Sequence, residues 1–159
     1  MTAAAFAAIF AALYAAHTVA DHWVQTQHQA DHKGCDPHHG GTAHPHCTVW
    51  RSRWHCTAHV LTYTATALSA VLVVAWQCGI DLRPGHLVLA LTVSAVSHYI
   101  ADRRTPLRWL ADRTGSGRFY TVGAPRPGRD DNPSIGTGAY ALDQSWHTGW
   151  ILVAALIAV

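Results

Sequence analysis

The sequence predicts an all-α membrane protein: a four-helix transmembrane bundle of up-and-down topology, with a short interfacial helix in its third connection. Three observations carry that prediction. Long stretches without Asp, Lys or Arg alternate with loops crowded with Arg, His, Gly and Pro. Only 13% of the 159 residues are charged, 50% are hydrophobic, and there is no glutamate, whereas about a quarter of an ordinary soluble domain is charged. No long stretch alternates polar and apolar residues as a strand would, and a closed barrel needs more segments than this length offers. Helices therefore satisfy the backbone hydrogen bonds in lipid. The length fits a single integral membrane domain, 1–159.

The first apolar stretch, residues 2–20, has no charged residue and at about 1.5 Å per residue approaches the thickness of a hydrocarbon core. It lacks the positive start of a secretory signal peptide, and polar residues at helical spacing follow it directly, so a retained helix is expected. The second, residues 56–78, carries no formal charge, is rich in Ala, Val, Leu and Thr, and is closed by Gly79 and Asp81. The third, residues 85–101, follows Pro84, which suits a first helical turn, and runs into Asp102, Arg103 and Arg104. The fourth, residues 138–159, has Asp143 as its one formal charge and is most continuously apolar from Trp150 onward. Its polar beginning calls for a functional explanation.

The connections give orientation. Residues 26–54 are predicted as a His/Cys-rich loop and residues 103–138 as an Arg/Gly/Pro-rich loop. Lys33, Arg51 and Arg53 lie in the first, seven arginines from Arg103 to Arg129 lie in the third, and Arg83 alone lies in the second. By the positive-inside rule both basic loops are cytoplasmic, with the termini and the short middle loop across the cell membrane. Thr105 and Pro106 resemble the cap and first turn of a helix ending at Arg113. Its Leu107, Leu110 and Ala111 would face lipid and Arg108, Asp112 and Arg113 water. Residues 123–138, dense in Gly and Pro, are expected to be irregular. A net charge of +2 gives no reason to expect a nucleic-acid partner.

Four pairs of polar residues recur at a spacing of four: His17 with Asp21, His55 with His59, His98 with Asp102, and Asp143 with His147. Each pair occupies one helix face, one turn apart. In the predicted topology the first and third helices carry their pairs at their ends, the second and fourth at their starts, so all four meet at one depth. Ionisable groups inside a membrane are costly unless they pair or bind an ion, and imidazole with carboxylate is a donor set for zinc or another divalent transition metal. The expected ligands are His17, Asp21, His59, His98, Asp102, Asp143 and His147, for one metal or two, while Gln25, His55 and Gln144 would orient them. For any single residue of the set an interfacial or capping role is the ordinary alternative. Haem between facing histidines is another, but it would leave the carboxylates unexplained. Lys33, just outside a helix end, is expected to be a topological charge.

The run His17, Asp21, Gln25 and Lys33, then His59, then His98 with Asp102, then Asp143, Gln144 and His147, resembles the family called domain of unknown function 3307, small membrane proteins of bacteria and their phages. The likeness covers most of the chain in order. It implies an integral membrane protein with a shared polar centre and supplies no substrate or reaction. The His/Cys-rich first loop and the Pro/Gly-rich third loop depart from a minimal version of that pattern.

The first loop is a second metal candidate, with Cys35, His38, His39, His44, His46 and Cys47, although the spacing fits no standard finger. Thiols in a cytoplasmic loop stay reduced, so a metal is expected there before a disulfide. Cys78 is expected to be a small packing residue.

These features point first to a metal-dependent hydrolase of a lipid or phosphoester. Asp21 or Asp143 would take the proton of an activated water, and Arg103 or Arg104 would steady the anion. The absence of glutamate excludes the His-Glu-x-x-His motif. The alternatives are a metal sensor or transporter, and a structural or accessory membrane protein whose polar centre fixes helix packing.

Overall fold

A computed structural model describes residues 2–35, 47–124, 126 and 136–159, which form helices with no strand among them. Helix α1 (Ala3–Val19) starts where the Thr2 hydroxyl accepts from the Ala5 amide at 3.2 Å. It runs on into a π-helical turn, Ala20–Val24, closed by Gln25 N–H on the Ala20 carbonyl at 2.8 Å. Such turns are rare and recur at functional sites; here the turn holds Asp21. Thr26 and Gln29 cap each other reciprocally at the start of α2 (Gln27–His32). Helix α3 (Val49–Cys78) is capped by Thr48 and stopped by Gly79 at φ 62, a left-handed conformation that glycine adopts without a Cβ penalty. Helices α4 (Pro84–Asp102), α5 (Thr105–Arg113), α6 (Gly117–Tyr120) and α7 (Gly138–Ala158) follow. Gly138 sits so close to the Phe119 backbone that a side chain there has no room.

The four apolar stretches are helical as expected, with two differences in the connections. Residues 26–54 are not one loop: α2 occupies part, and α3 begins at Val49 rather than near residue 56. Hydropathy marks the apolar part of a helix, while the Thr26 and Thr48 caps set where each helix starts. In α5, Thr105 is the first helical residue, and Leu107 and Ala111 are buried by protein rather than turned to lipid. The helix folds back onto α4 and α7, so its apolar stripe is used in packing.

Helix α4 packs on α7, α1 on α3, α3 on α4 and α1 on α7. Away from the His/Asp residues these contacts enclose an apolar core that includes Ile9, Leu13, Ala67, Val71, Ala90, Ile151 and Ala155, where the alanines permit close approach of backbones. Three helices are long and apolar enough to cross a membrane: Ala3–Val24, Val49–Cys78 and Pro84–Asp102. Their outer faces expose Leu61, Leu72, Val88 and Val96 among others. Exposed Trp54 and Trp76 lie near the two ends of α3, 22 residues apart. That is roughly 33 Å of helix, about the spacing of the aromatic belts of a bilayer.

Cys35 and Cys47 are joined in a disulfide, with their Cα atoms 6.1 Å apart. This corrects the expectation of two metal-binding thiolates, because a disulfide sulfur has no thiolate charge to offer. His38, His39, His44 and His46 lie outside the described residues. Cys56 is buried, its Sγ 3.8 Å from the Tyr99 carbonyl. Cys78 is exposed and not a packing residue, since it faces outward on the last turn of α3.

Candidate metal centre

The polar ends of α1, α3, α4 and α7 converge. His59 Nε2 lies 3.0 Å from His98 Nε2, 3.2 Å from Asp21 Oδ1 and 3.5 Å from Asp102 Oδ2. His98 Nε2 lies 3.4 Å from Asp21 Oδ1 and 3.3 Å from Asp102 Oδ2. Asp21 Oδ1, His59 Nε2 and His98 Nε2 thus stand 3.0–3.4 Å from one another, as three ligands about 2.0–2.1 Å from a zinc ion do, and they form one group of donors that could hold a metal. Asp102 Oδ2 lies beside both imidazole nitrogens outside that group.

Hydrogen bonding accounts for the approach of His59 Nε2 and His98 Nε2 but not for those of the carboxylates. Asp21 Oδ1 and Asp102 Oδ2 are buried with no hydrogen bond among the described residues, although imidazole nitrogens come this near. The Gln25 amide has one orientation that suits its neighbours: its oxygen accepts from Lys33 Nζ at 2.8 Å and His59 Nδ1 at 3.2 Å, and its nitrogen donates to the Asp21 carbonyl at 3.3 Å. The proton of a neutral His59 is then on Nδ1, leaving a lone pair on Nε2 facing His98 Nε2. That lone pair accepts from His98 Nε2–H, or binds a cation in its place.

Lys33 is more than a topological charge, because its Nζ lies 2.6 Å from Asp102 Oδ1 and orients that carboxylate. Below the imidazoles, Tyr63 is buried with its ring 4.1 Å from that of His98 and its Oη 2.5 Å from Ser94 Oγ. Neither residue was singled out from the sequence, yet Tyr63 is one turn beyond His59 and Ser94 one turn before His98. Extending the spacing of four would have found both. We expect Tyr63→Phe to cost about 1 kcal/mol, the net value of one neutral hydrogen bond, seen as a modest fall in thermal stability with metal content unchanged.

A second set of donors adjoins these residues. His147 Nε2 is 3.5 Å from Asp143 Oδ1, and His17 Nδ1 is 3.7 Å from Asp21 Oδ2. Donor atoms of His17, His98 and His147, and of Asp102, Asp143 and His147, fall within 4.8 Å of one another. All seven expected ligands are thus drawn into one neighbourhood. His55 is not: its ring packs 4.6 Å from His28 and 5.2 Å from His32, because α2 covers the face of α3 on which it lies.

A cavity of about 450 Å³ opens onto this centre, and Asp21, Lys33, Asp102, Arg104, Asp143 and Gln144 are on its wall. Gln144 Nε2 donates to Asp143 Oδ2 at 3.2 Å. The two arginines after Asp102 part company. Arg104, at φ 59, is on the cavity wall, whereas Arg103 donates to the Lys33 carbonyl at 2.8 Å and to Ser52 Oγ. Arg103 therefore ties the chain after α2 to α3 and does not line the cavity. Chemically, the site offers imidazole and carboxylate donors for a divalent cation, beside a cavity with two cationic side chains.

The family described as "Protein of unknown function (DUF3307)" matches residues 9–159. The chain belongs to that family. No curated protein and no solved structure matches it.

Proposed function

We propose that this member of the family is an integral membrane protein built on an up-and-down four-helix transmembrane bundle. A divalent-metal centre, with zinc the first candidate, lies at its cytoplasmic end and serves the hydrolysis of a lipid or phosphoester. The observation that carries the metal assignment is the set of three donor separations between 3.0 and 3.4 Å among Asp21, His59 and His98. Support for α7 as the fourth span comes from its 21 residues and its exposed Leu152 and Leu156. Its polar first half, which lowers its hydropathy, is the part that contributes Asp143 and His147.

Sidedness rests on the arginines of the two long connections. The Cys35–Cys47 pairing makes the opposite demand, since disulfides persist in oxidising compartments. We give the arginines more weight because they are spread over two loops while the pairing is single.

A bound divalent ion would lower the pKa of a coordinated water to about 7 and polarise a phosphoryl oxygen. A catalytic zinc keeps one position for water. Asp21, His59 and His98 would hold the ion and leave that position free, whereas Asp102 is held by Lys33. Asp143, whose side chain is 28% exposed, takes the proton. In hydrolysis the water oxygen would bond to phosphorus as the bond to the leaving oxygen breaks, and Asp143 would pass the proton it took to that leaving oxygen. Lys33 and Arg104 hold the remaining phosphoryl oxygens.

Asp102 Oδ2, 3.5 and 3.3 Å from the two imidazole nitrogens, favours a second class, a metal sensor or a structural accessory protein, because as a fourth donor it would close the site, and closed sites are usual where metal serves structure. A transporter fits less well, since the other end of the helices is packed with apolar residues. The test is elemental analysis of purified protein reconstituted with several divalent ions, followed by a panel of lipid phosphates and phosphoesters. Stoichiometric metal with turnover that Asp143→Asn lowers by at least about 100-fold, within the range for a positioned general base, supports the hydrolase. Metal without turnover supports the sensor, and no metal with any ion overturns the centre.

A further inference from the structure

Beside the polar cavity runs a second depression of about 330 Å³ between α5 and α7, walled by Leu107, Leu110, Ala111, Leu142, Trp146 and Trp150. Leu107 lines both spaces, so the apolar groove and the polar cavity share a wall. The polar atoms along the groove are largely spent. Trp146 Nε1 donates to the Ser97 carbonyl at 3.0 Å, and the Thr114 and Ser145 hydroxyls donate to carbonyls of their own helices. Apart from these groups and Ser116, the groove is lined by indole and aliphatic carbon. Its α7 side extends from Leu142 to Val153, about 17 Å of helix at 1.5 Å per residue, in the direction of the exposed Leu152 and Leu156. The groove thus leads from the boundary helix α5 along a proposed transmembrane span.

The other end of the path is cationic. Arg104 is the one non-glycine residue at positive φ among the described residues, and held backbone strain of this kind is characteristic of functional positions. Its side chain runs over Gly34, where any Cβ would meet the Arg104 stem, and its guanidinium reaches the Ala30 carbonyl at 3.4 Å. Thus the glycine and the strained backbone together aim this cation at the cavity wall that also carries Lys33.

We infer that the α5–α7 groove receives the hydrocarbon chain of the substrate while the adjoining cavity receives its anionic phosphate. The molecule acted on is then a membrane lipid phosphate and not a water-soluble phosphoester. This rests on the hydrolase proposed above and narrows its substrate to an amphiphile whose two halves fit the two adjoining spaces. Each buried methylene contributes about 0.8 kcal/mol, so a chain in the groove dominates affinity once a few carbons are enclosed.

Gly149 provides the test. It lines the groove, and a Cβ added there meets nothing within 4 Å, so Gly149→Leu fills the space without pressing on the backbone. Val153→Phe, at a half-exposed groove position, narrows it independently. The probes are hexadecyl phosphate and butyl phosphate, offered to metal-loaded protein in detergent and read by binding and by phosphate release. Partition into micelles raises the apparent affinity of every variant alike, so the difference between proteins is the readout. We expect both substitutions to weaken hexadecyl phosphate by at least about tenfold, equivalent to 1.4 kcal/mol, with butyl phosphate binding and metal content unchanged. Unaltered preference for the long chain in both variants, or no such preference in the unmodified protein, overturns the groove assignment. Chain-dependent binding without phosphate release upholds the groove and sinks the hydrolase, and metal-free protein that binds neither probe sinks both.

Discussion

Asp21→Asn and His59→Ala are each expected to lose stoichiometric metal after purification and reconstitution, with affinity falling by more than the ~100-fold that marks the loss of an outer hydrogen-bonding partner. Asp21→Asn preserves shape and removes one anionic donor. His59→Ala removes the imidazole whose Nε2 lies within 3.5 Å of the three other donors. Asp143→Asn is expected to keep the metal held by Asp21, His59 and His98, since Asp143 approaches His147 and not His59. A cation that binds the folded chain and not the unfolded one stabilises it by about 4 kcal/mol at a thousand times its dissociation constant. Metal should therefore raise the unfolding temperature of the unmodified protein and of Asp143→Asn, and leave that of Asp21→Asn where it was. Elemental analysis with parallel thermal unfolding checks both statements. Metal retained by Asp21→Asn at full stoichiometry would remove the Asp21, His59 and His98 site from consideration.

Most of this centre was legible in the sequence because helical spacing is local information. Asp21, His98, Asp102 and His147 could be put on inward faces from a spacing of four alone, and the apolar stretches supplied helix direction and hence depth. What spacing cannot give is contact between helices. Lys33 looked like a charge at a helix end, because nothing in the local sequence says that α2 returns it to the last turn of α4. His55 shared its register with His59 but was lost to the histidines of a helix that hydropathy does not detect. Arg103 and Arg104 are chemically identical neighbours, and a single backbone conformation, φ 59 at Arg104, sends one to α3 and the other to the cavity. The apolar face of α5 was legible as a stripe, but its partner was protein. Amphipathicity reports that a face is buried and does not say against what.

Lys33→Met is expected to destabilise the metal-free protein by roughly 3–5 kcal/mol, the cost of breaking one side of a buried ion pair. The side chains of Lys33 and Asp102 are only 11% and 3% exposed, and Nζ lies 2.6 Å from Oδ1, so the low value for surface salt bridges does not apply. At this chain length each kcal/mol moves the unfolding midpoint by roughly 2–4 °C, which predicts a fall of about 10 °C. Metal should return part of that loss. A dication beside Asp102 Oδ2 supplies the positive charge that the substitution removed, so the metal-induced rise in midpoint should be larger in Lys33→Met than in the unmodified protein. An equal or smaller rise would mean that Lys33 does not compete with the cation for the same carboxylate. The double variant with Asp102→Asn separates charge from packing: without a buried anion to leave unpaired, it should unfold above Lys33→Met in the absence of metal, and metal should raise its midpoint by less than it raises that of Lys33→Met.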